Sequence, residues 1–221
     1  MISWDANCLF ESMRIGKTSY FFTNVEEMIY LEKVFGEVER RQNDFIEECK
    51  VLLPKLKEEF ELDMSIEQIK TELSEFLKNK CPLSSEDIKD KIEEVRKELI
   101  ALKGIKVGEG DFEIICHSRI KNPTVITHDE NLFSLLINHA KTLFLIEFII
   151  ENKEKLPNVQ AQCIKYLWYG CLKRYDLALK ELRTKFGVIA GNNLYVRRVR
   201  ILNYLEDVLP LQNKTIIPTQ F

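Results

Sequence analysis

Glycine and proline are scarce in this chain, with 8 and 6 in 221 residues. No glycine-rich loop ending in lysine occurs, which excludes the common phosphate-cradling nucleotide sites. The six cysteines, Cys8, Cys49, Cys81, Cys116, Cys163 and Cys171, are scattered and form no C-x-x-C pair, so reduced core thiols are expected rather than disulfides or zinc. The only histidines, His117, His128 and His139, read as structural or surface residues. Glu32 and Lys33 stand side by side rather than one residue apart, so this pair does not make the acid and Glu-x-Lys core of restriction-type nucleases. The most apolar stretch, FSLLINHAKTLFLIEFII, is interrupted by Asn138, His139, Lys141 and Glu147 and reads as core, not as a membrane span. MISWDANCLFESMRIGK has acids and polar residues where a secretory signal needs an apolar run, so a cytoplasmic protein with no membrane partner is expected.

What is present is an ordinary globular composition, 45% hydrophobic and 30% charged. The net charge of -3 is unevenly spread: residues 151–221 hold 12 Lys and Arg against 6 Asp and Glu, and the rest holds 20 against 29. An acidic front with a basic back suits an anionic polymer held near an acidic, metal-binding site; solvated helix faces would give the same imbalance.

Short apolar runs alternate with helical patterns. Met1 to Trp4 reads as a buried strand ending at Asp5, followed by a helix to about Met13 that Gly16 breaks. TSYFFT, rich in aromatic and β-branched residues, predicts a second strand. NVEEMIYLEKVFGEVERRQ then predicts a helix capped by Asn24, with Glu27 three residues on. Residues 43–102 are highly charged and predict about three helices. After GIKVGEGD come a helix over DFEIICHSRI, a strand over Thr124 to Thr127, and a helix from near Glu130, with KTLFLIEF open between strand and helix. From Asn158 to Leu209 two or three helices are expected, interrupted at FGVIAGNN. The pattern predicts an α/β fold with a mainly parallel sheet flanked by helices and an α-helical C-terminal extension.

In an open α/β sheet the carboxyl ends of the strands face the ligand crevice. Asp5 and Asp129 both lie at such ends, and if their strands are neighbours the two carboxylates converge. Gathered carboxylates repel one another unless a cation neutralises them, and hard oxygen ligands select Mg²⁺ or Mn²⁺.

Four segments within residues 1–145 resemble the PIN domains, metal-dependent nucleases acting mostly on RNA. ISWDANCLF is similar to the opening strand with its Asp-x-Asn signature, FFTNVEEMIYLE to the second element, VGEGDFEIICHSRI to the third, and TVITHDENLF to the strand ending in Thr-x-Asp. The resemblance implies a PIN-like domain over residues 1–150, and the pattern leaves residues 151–221 as a basic helical extension with no counterpart in it. It implies Asp5, Glu27, Asp111 and Asp129 as catalytic metal ligands for Mg²⁺ or Mn²⁺, with Glu26 and Glu109 open as alternatives. Asn7 and Thr127 take supporting roles. The implied reaction is in-line phosphodiester hydrolysis leaving a 5′-phosphate, with no histidine as base. Many relatives are toxins, so an endoribonuclease of toxin type, an inhibitory protein partner and self-association come into view.

In the C-terminal part, Lys173, Arg174, Arg197, Arg198 and Arg200 lie among Tyr175, Tyr195 and Tyr204, a mixture suited to single-stranded RNA or DNA; core packing explains the tyrosines equally. The alternative to a nuclease is a non-catalytic PIN-like module that docks a partner protein. It requires the acids to lie apart or to be matched by permanent counter-charges.

Overall fold

The computed structural model describes residues 1–25, 28–78, 88–101, 107–136, 139–171, 180 and 188–208. They form a mostly helical α/β fold on a small sheet of four parallel strands in the order β2-β1-β3-β4. The strands are β1 (Ile2–Trp4), β2 (Met28–Ile29), β3 (Thr124–Ile126) and β4 (Thr142–Leu143). The helices are α1 (Ala6–Arg14), α2 (Thr18–Asn24), α3 (Glu32–Phe60), α4 (Ile66–Lys78), α5 (Lys89–Ala101), α6 (Glu109–Lys121), α7 (Glu130–Leu136), α8 (Leu145–Glu151), α9 (161–171) and α10 (Val188–Val208).

β1 is central, pairing with β2 on one side and β3 on the other, in registers that set Ser3 beside Ile29 and Trp4 beside Ile126. Trp4 is fully buried, with Phe148 edge-on at 5.3 Å and Phe21 stacked at 6.0 Å between ring centroids. Asp5 then caps α1, and the turn just after its C-cap Ile15 passes through Gly16, whose φ of +62° suits a residue without Cβ.

TSYFFT is a helix, not a strand. A helical turn puts Thr18 and Phe21 on one buried face, where the Thr18 hydroxyl lies 2.7 Å from that of Ser12 and Phe21 meets Trp4. Tertiary packing here overrides β propensity. The helix expected from Asn24 is corrected as well. Asn24 closes α2, its amide donating to the Tyr20 carbonyl, and Met28 and Ile29 form the edge strand β2. The next helix starts only at Glu32.

The three helices expected over residues 43–102 correspond to the long α3, which carries Pro54 internally, to α4 and to α5. The ambiguous KTLFLIEF divides into β4 and α8. The interruption expected at FGVIAGNN is corrected in part, since α10 runs on from Val188 through Gly191.

The C-terminal helices share the main core. Leu156, Cys163, Leu167, Trp168, Ile201 and Leu205 are buried in one cluster with the residues around the sheet. Polar ties hold α9 in place: Tyr166 Oη donates to Glu11 Oε2 at 2.7 Å, and Cys171 Sγ lies 3.5 Å from His128 Nε2.

Candidate active site

The register that aligns Trp4 with Ile126 brings the ends of β1 and β3 to one level. The Asp5 amide donates to the Ile126 carbonyl at 3.0 Å, so the side chains that follow each strand meet. Thr127 Oγ1 donates to Asp5 Oδ2 at 3.0 Å and accepts from the Asp129 amide at 2.9 Å. This fully buried hydroxyl fixes both acid-bearing segments. Asp129 Oδ1 accepts from the Leu132 amide at 2.8 Å, capping α7. The Asn7 amide nitrogen of the backbone donates to Asp5 Oδ1 at 3.4 Å, so the contact of Asn7 with Asp5 is through main chain.

Asp111 enters from the first turn of α6, and Glu37 from α3. Gly110 permits this approach: a Cβ there would stand 3.3 Å from Glu37 Oε2 and 3.5 Å from Val34 Cγ2. Burial, with added repulsion from Asp5, Asp129 and Glu37, pushes the Asp111 carboxyl up to about 7. Burial also pushes Asp5 up to about 6, opposed by the Thr127 hydroxyl and assisted by the negative charges of Glu37 and Asp129. The four carboxyl groups share one electrostatic environment.

Among the described residues no Lys or Arg makes an ion pair with Asp5, Asp111 or Asp129. Glu37 has such a partner, Arg41 Nη1 at 3.0 Å from its Oε1. Also among the described residues, no three His, Cys, Asp or Glu side chains stand close enough to grip one ion directly. The residues present nevertheless fit Mg²⁺ or Mn²⁺ in their chemistry. Mg²⁺ keeps several of its waters and commonly takes only one or two carboxylates directly, and carboxyl groups raised by burial and mutual repulsion gain most from an added cation.

The sequence-derived set therefore divides. Asp5 and Asp129 meet through Thr127, and Asp111 lies close enough to feel the charge of both, whereas Glu109, the alternative to Asp111, is exposed and lies 3.8 Å from Lys33 Nζ. Glu26 and Glu27 lie outside the described residues, and the helix whose first turn was to carry Glu27 is replaced by β2. Glu37 was missed. Its signal was the strand Met28–Ile29: a parallel strand feeding directly into a helix moves the search for an acid into α3.

Of the basic residues expected to bind substrate, Arg197, Arg198 and Arg200 are described. Arg197 Nε donates to Glu147 Oε1 at 2.7 Å and its Nη2 to the Thr142 carbonyl at 2.6 Å, with its guanidinium 5.0 Å over the Phe133 ring. Arg198 is buried at 9% exposure. Arg200 is exposed and borders a cleft of about 290 Å³ between β4, α8 and α10, whose lining includes Glu147 and Glu151 but none of Asp5, Glu37, Asp111 and Asp129. Lys173 and Arg174 lie outside the described residues. The histidines are as expected for structural positions: His117 and His128 are buried, the latter accepting from the Leu145 amide at 3.3 Å, and His139 sits 3.9 Å from Glu98.

No family model matches this chain, and no curated protein and no solved structure matches it either. No helix among the described residues is long and apolar enough to cross a membrane.

Proposed function

We propose that this protein is a PIN-like nuclease that hydrolyses phosphodiester bonds of single-stranded RNA with Mg²⁺ or Mn²⁺. The observation that carries the reading is the gathering of Asp5, Asp111, Asp129 and Glu37, from four separated segments, at the carboxyl end of a parallel sheet, with the first three lacking a described cation partner. Asp5, Asp111, Asp129 and Glu37 would hold the metal with no more than two of them as direct ligands and the others acting through its waters; when bound it would lower the pKa of a water and offset charge on the phosphate. The chain's own part is to fix these groups. Thr127 orients Asp5 and the start of the Asp129 segment, and burial keeps competing water away from Asp5. Asp111, ionising only near pH 7, gives up its proton as positive charge arrives.

One observation favours the second reading, a non-catalytic docking module: no three described donors are within ligating reach of a single ion. Cleavage of labelled single-stranded RNA with Mn²⁺ separates the two. Asp5→Asn and Asp129→Asn are each expected to slow it by at least a hundredfold, about 2.7 kcal/mol of barrier. Equal cleavage by wild type and both variants, or no Mg²⁺ and Mn²⁺ uptake in calorimetry, rejects the nuclease.

A further inference from the structure

Lys33, Glu37 and Arg41 are spaced four residues apart on α3 and so occupy one face of that helix. The middle residue is the acid that joins the candidate metal cluster. The outer two are cations, about 12 Å apart by helical rise. Neither cation is buried. Lys33 is 52% exposed at the side chain and reaches only toward Glu109 at 3.8 Å, and Arg41 is 41% exposed.

Arg41 is held in a set orientation. Its Nη1 donates to Glu37, and its guanidinium lies 5.0 Å over the ring of Phe10. Phe10 in turn stacks on Phe45 at 4.6 Å, and the Arg14 guanidinium lies 5.2 Å from the Phe45 ring centre. The bond to Glu37 uses one of five N–H donors, and no other hydrogen bond joins Arg41 to a described residue. A planar guanidinium locked on one side by an aromatic ring, with donors left over, is a ready phosphate ligand. Of the C-terminal cations expected to bind substrate, Arg197 is paired with Glu147 and Arg198 is buried, so exposed cations beside the acids would offset the repulsion between a polyanion and that cluster.

We propose that Lys33 and Arg41 are substrate-binding residues that clamp the backbone phosphates on either side of the cleaved bond, a span of a few nucleotides of single strand. This rests on the nuclease reading, and the experiment keeps the two apart. Steady-state cleavage of a labelled oligouridylate with Mn²⁺ is measured across a salt series for wild type, Lys33→Ala, Arg41→Ala, Arg41→Lys and the exposed control Lys50→Ala. Lys33→Ala and Arg41→Ala are expected to raise KM about tenfold with little change in kcat, as for loss of one charge-assisted contact. Each is also expected to make the slope of log affinity against log salt shallower by about 0.7. Arg41→Lys restores the slope, and Lys50→Ala matches wild type. Should Arg41→Ala unfold through its lost seat on Phe10, Lys33→Ala and Arg41→Lys carry the test. Active wild type with unchanged KM and salt slope in Lys33→Ala overturns the clamp alone. Inactive wild type that takes up no metal overturns the nuclease and the clamp together.

Discussion

At the residue scale, the acids make stability depend on pH with a definite sign. Asp5 and Asp111 have an ordinary value of 3.8 and stand at about 6 and about 7 in the folded chain. Both bind protons more tightly folded than unfolded, so the stability they contribute is complete below about pH 4 and is lost as pH rises through 6 to 7. For the buried Asp5 alone the loss is about 3 kcal/mol. Urea denaturation of metal-free protein is expected to give lower stability at pH 8 than at pH 5, and added Mn²⁺ to raise the midpoint more at pH 8, where it displaces no protons. A midpoint independent of both pH and Mn²⁺ would remove the strained acid cluster from the account. Thr127→Val gives a second check. The variant deprives Asp5 Oδ2 of a donor and the Asp129 amide of an acceptor, at a cost of about 2 kcal/mol. It is also expected to lift Asp5 further above about 6, since the hydroxyl bond is what holds it down. Carboxyl titration by NMR, with denaturation alongside, reads both effects.

At the element scale, what could be read from the chain was whatever its own neighbours determine. Asp5 capping α1 and Asp129 capping α7 are local events, each a carboxylate accepting an amide two or three residues on, and short apolar runs before them marked β1 and β3. The start of α3 was hidden for the opposite reason. Leu31 offers no side-chain cap; the Lys33 amide is instead satisfied by Glu113 of α6, 80 residues away. Without that remote partner in view, the sequence pattern alone starts the helix at Asn24, absorbs β2 into it and gives no sign of Glu37. Arg197 belongs to the same class, for its partners Glu147 and Thr142 lie on α8 and β4. Arg197→Met is expected to destabilise the fold by about 3 kcal/mol, because it leaves Glu147, 7% exposed, without its cation. Adding Glu147→Gln should recover part of this. Equal denaturation midpoints for wild type and Arg197→Met would show that the pair is not what fastens α10.

At the scale of the whole molecule, the boundary expected near residue 150 separates two halves of one core. Phe148 packs on Trp4, while Trp168, Cys171, Ile201 and Leu205 are buried in the cluster that contains both. The Glu11 carboxylate, 9% exposed, also relies on Tyr166 beyond that boundary. A chain cut after residue 150 is therefore expected not to fold on its own, with no protected amides in hydrogen exchange, whereas the full chain should unfold in one transition by both far-ultraviolet and tryptophan signals. A stable, exchange-protected fragment would restore the two-part division. Sheet size has its own consequence. Lys141 and Leu143 turn their carbonyls toward β3, which leaves Thr142 facing outward, and that outward carbonyl is occupied by Arg197. The opposite border, β2, is two residues long. A foreign extended segment thus finds one rim plugged and the other too brief to grip, and crowded solutions of this protein should resist fibrillar self-templating until α10 peels away.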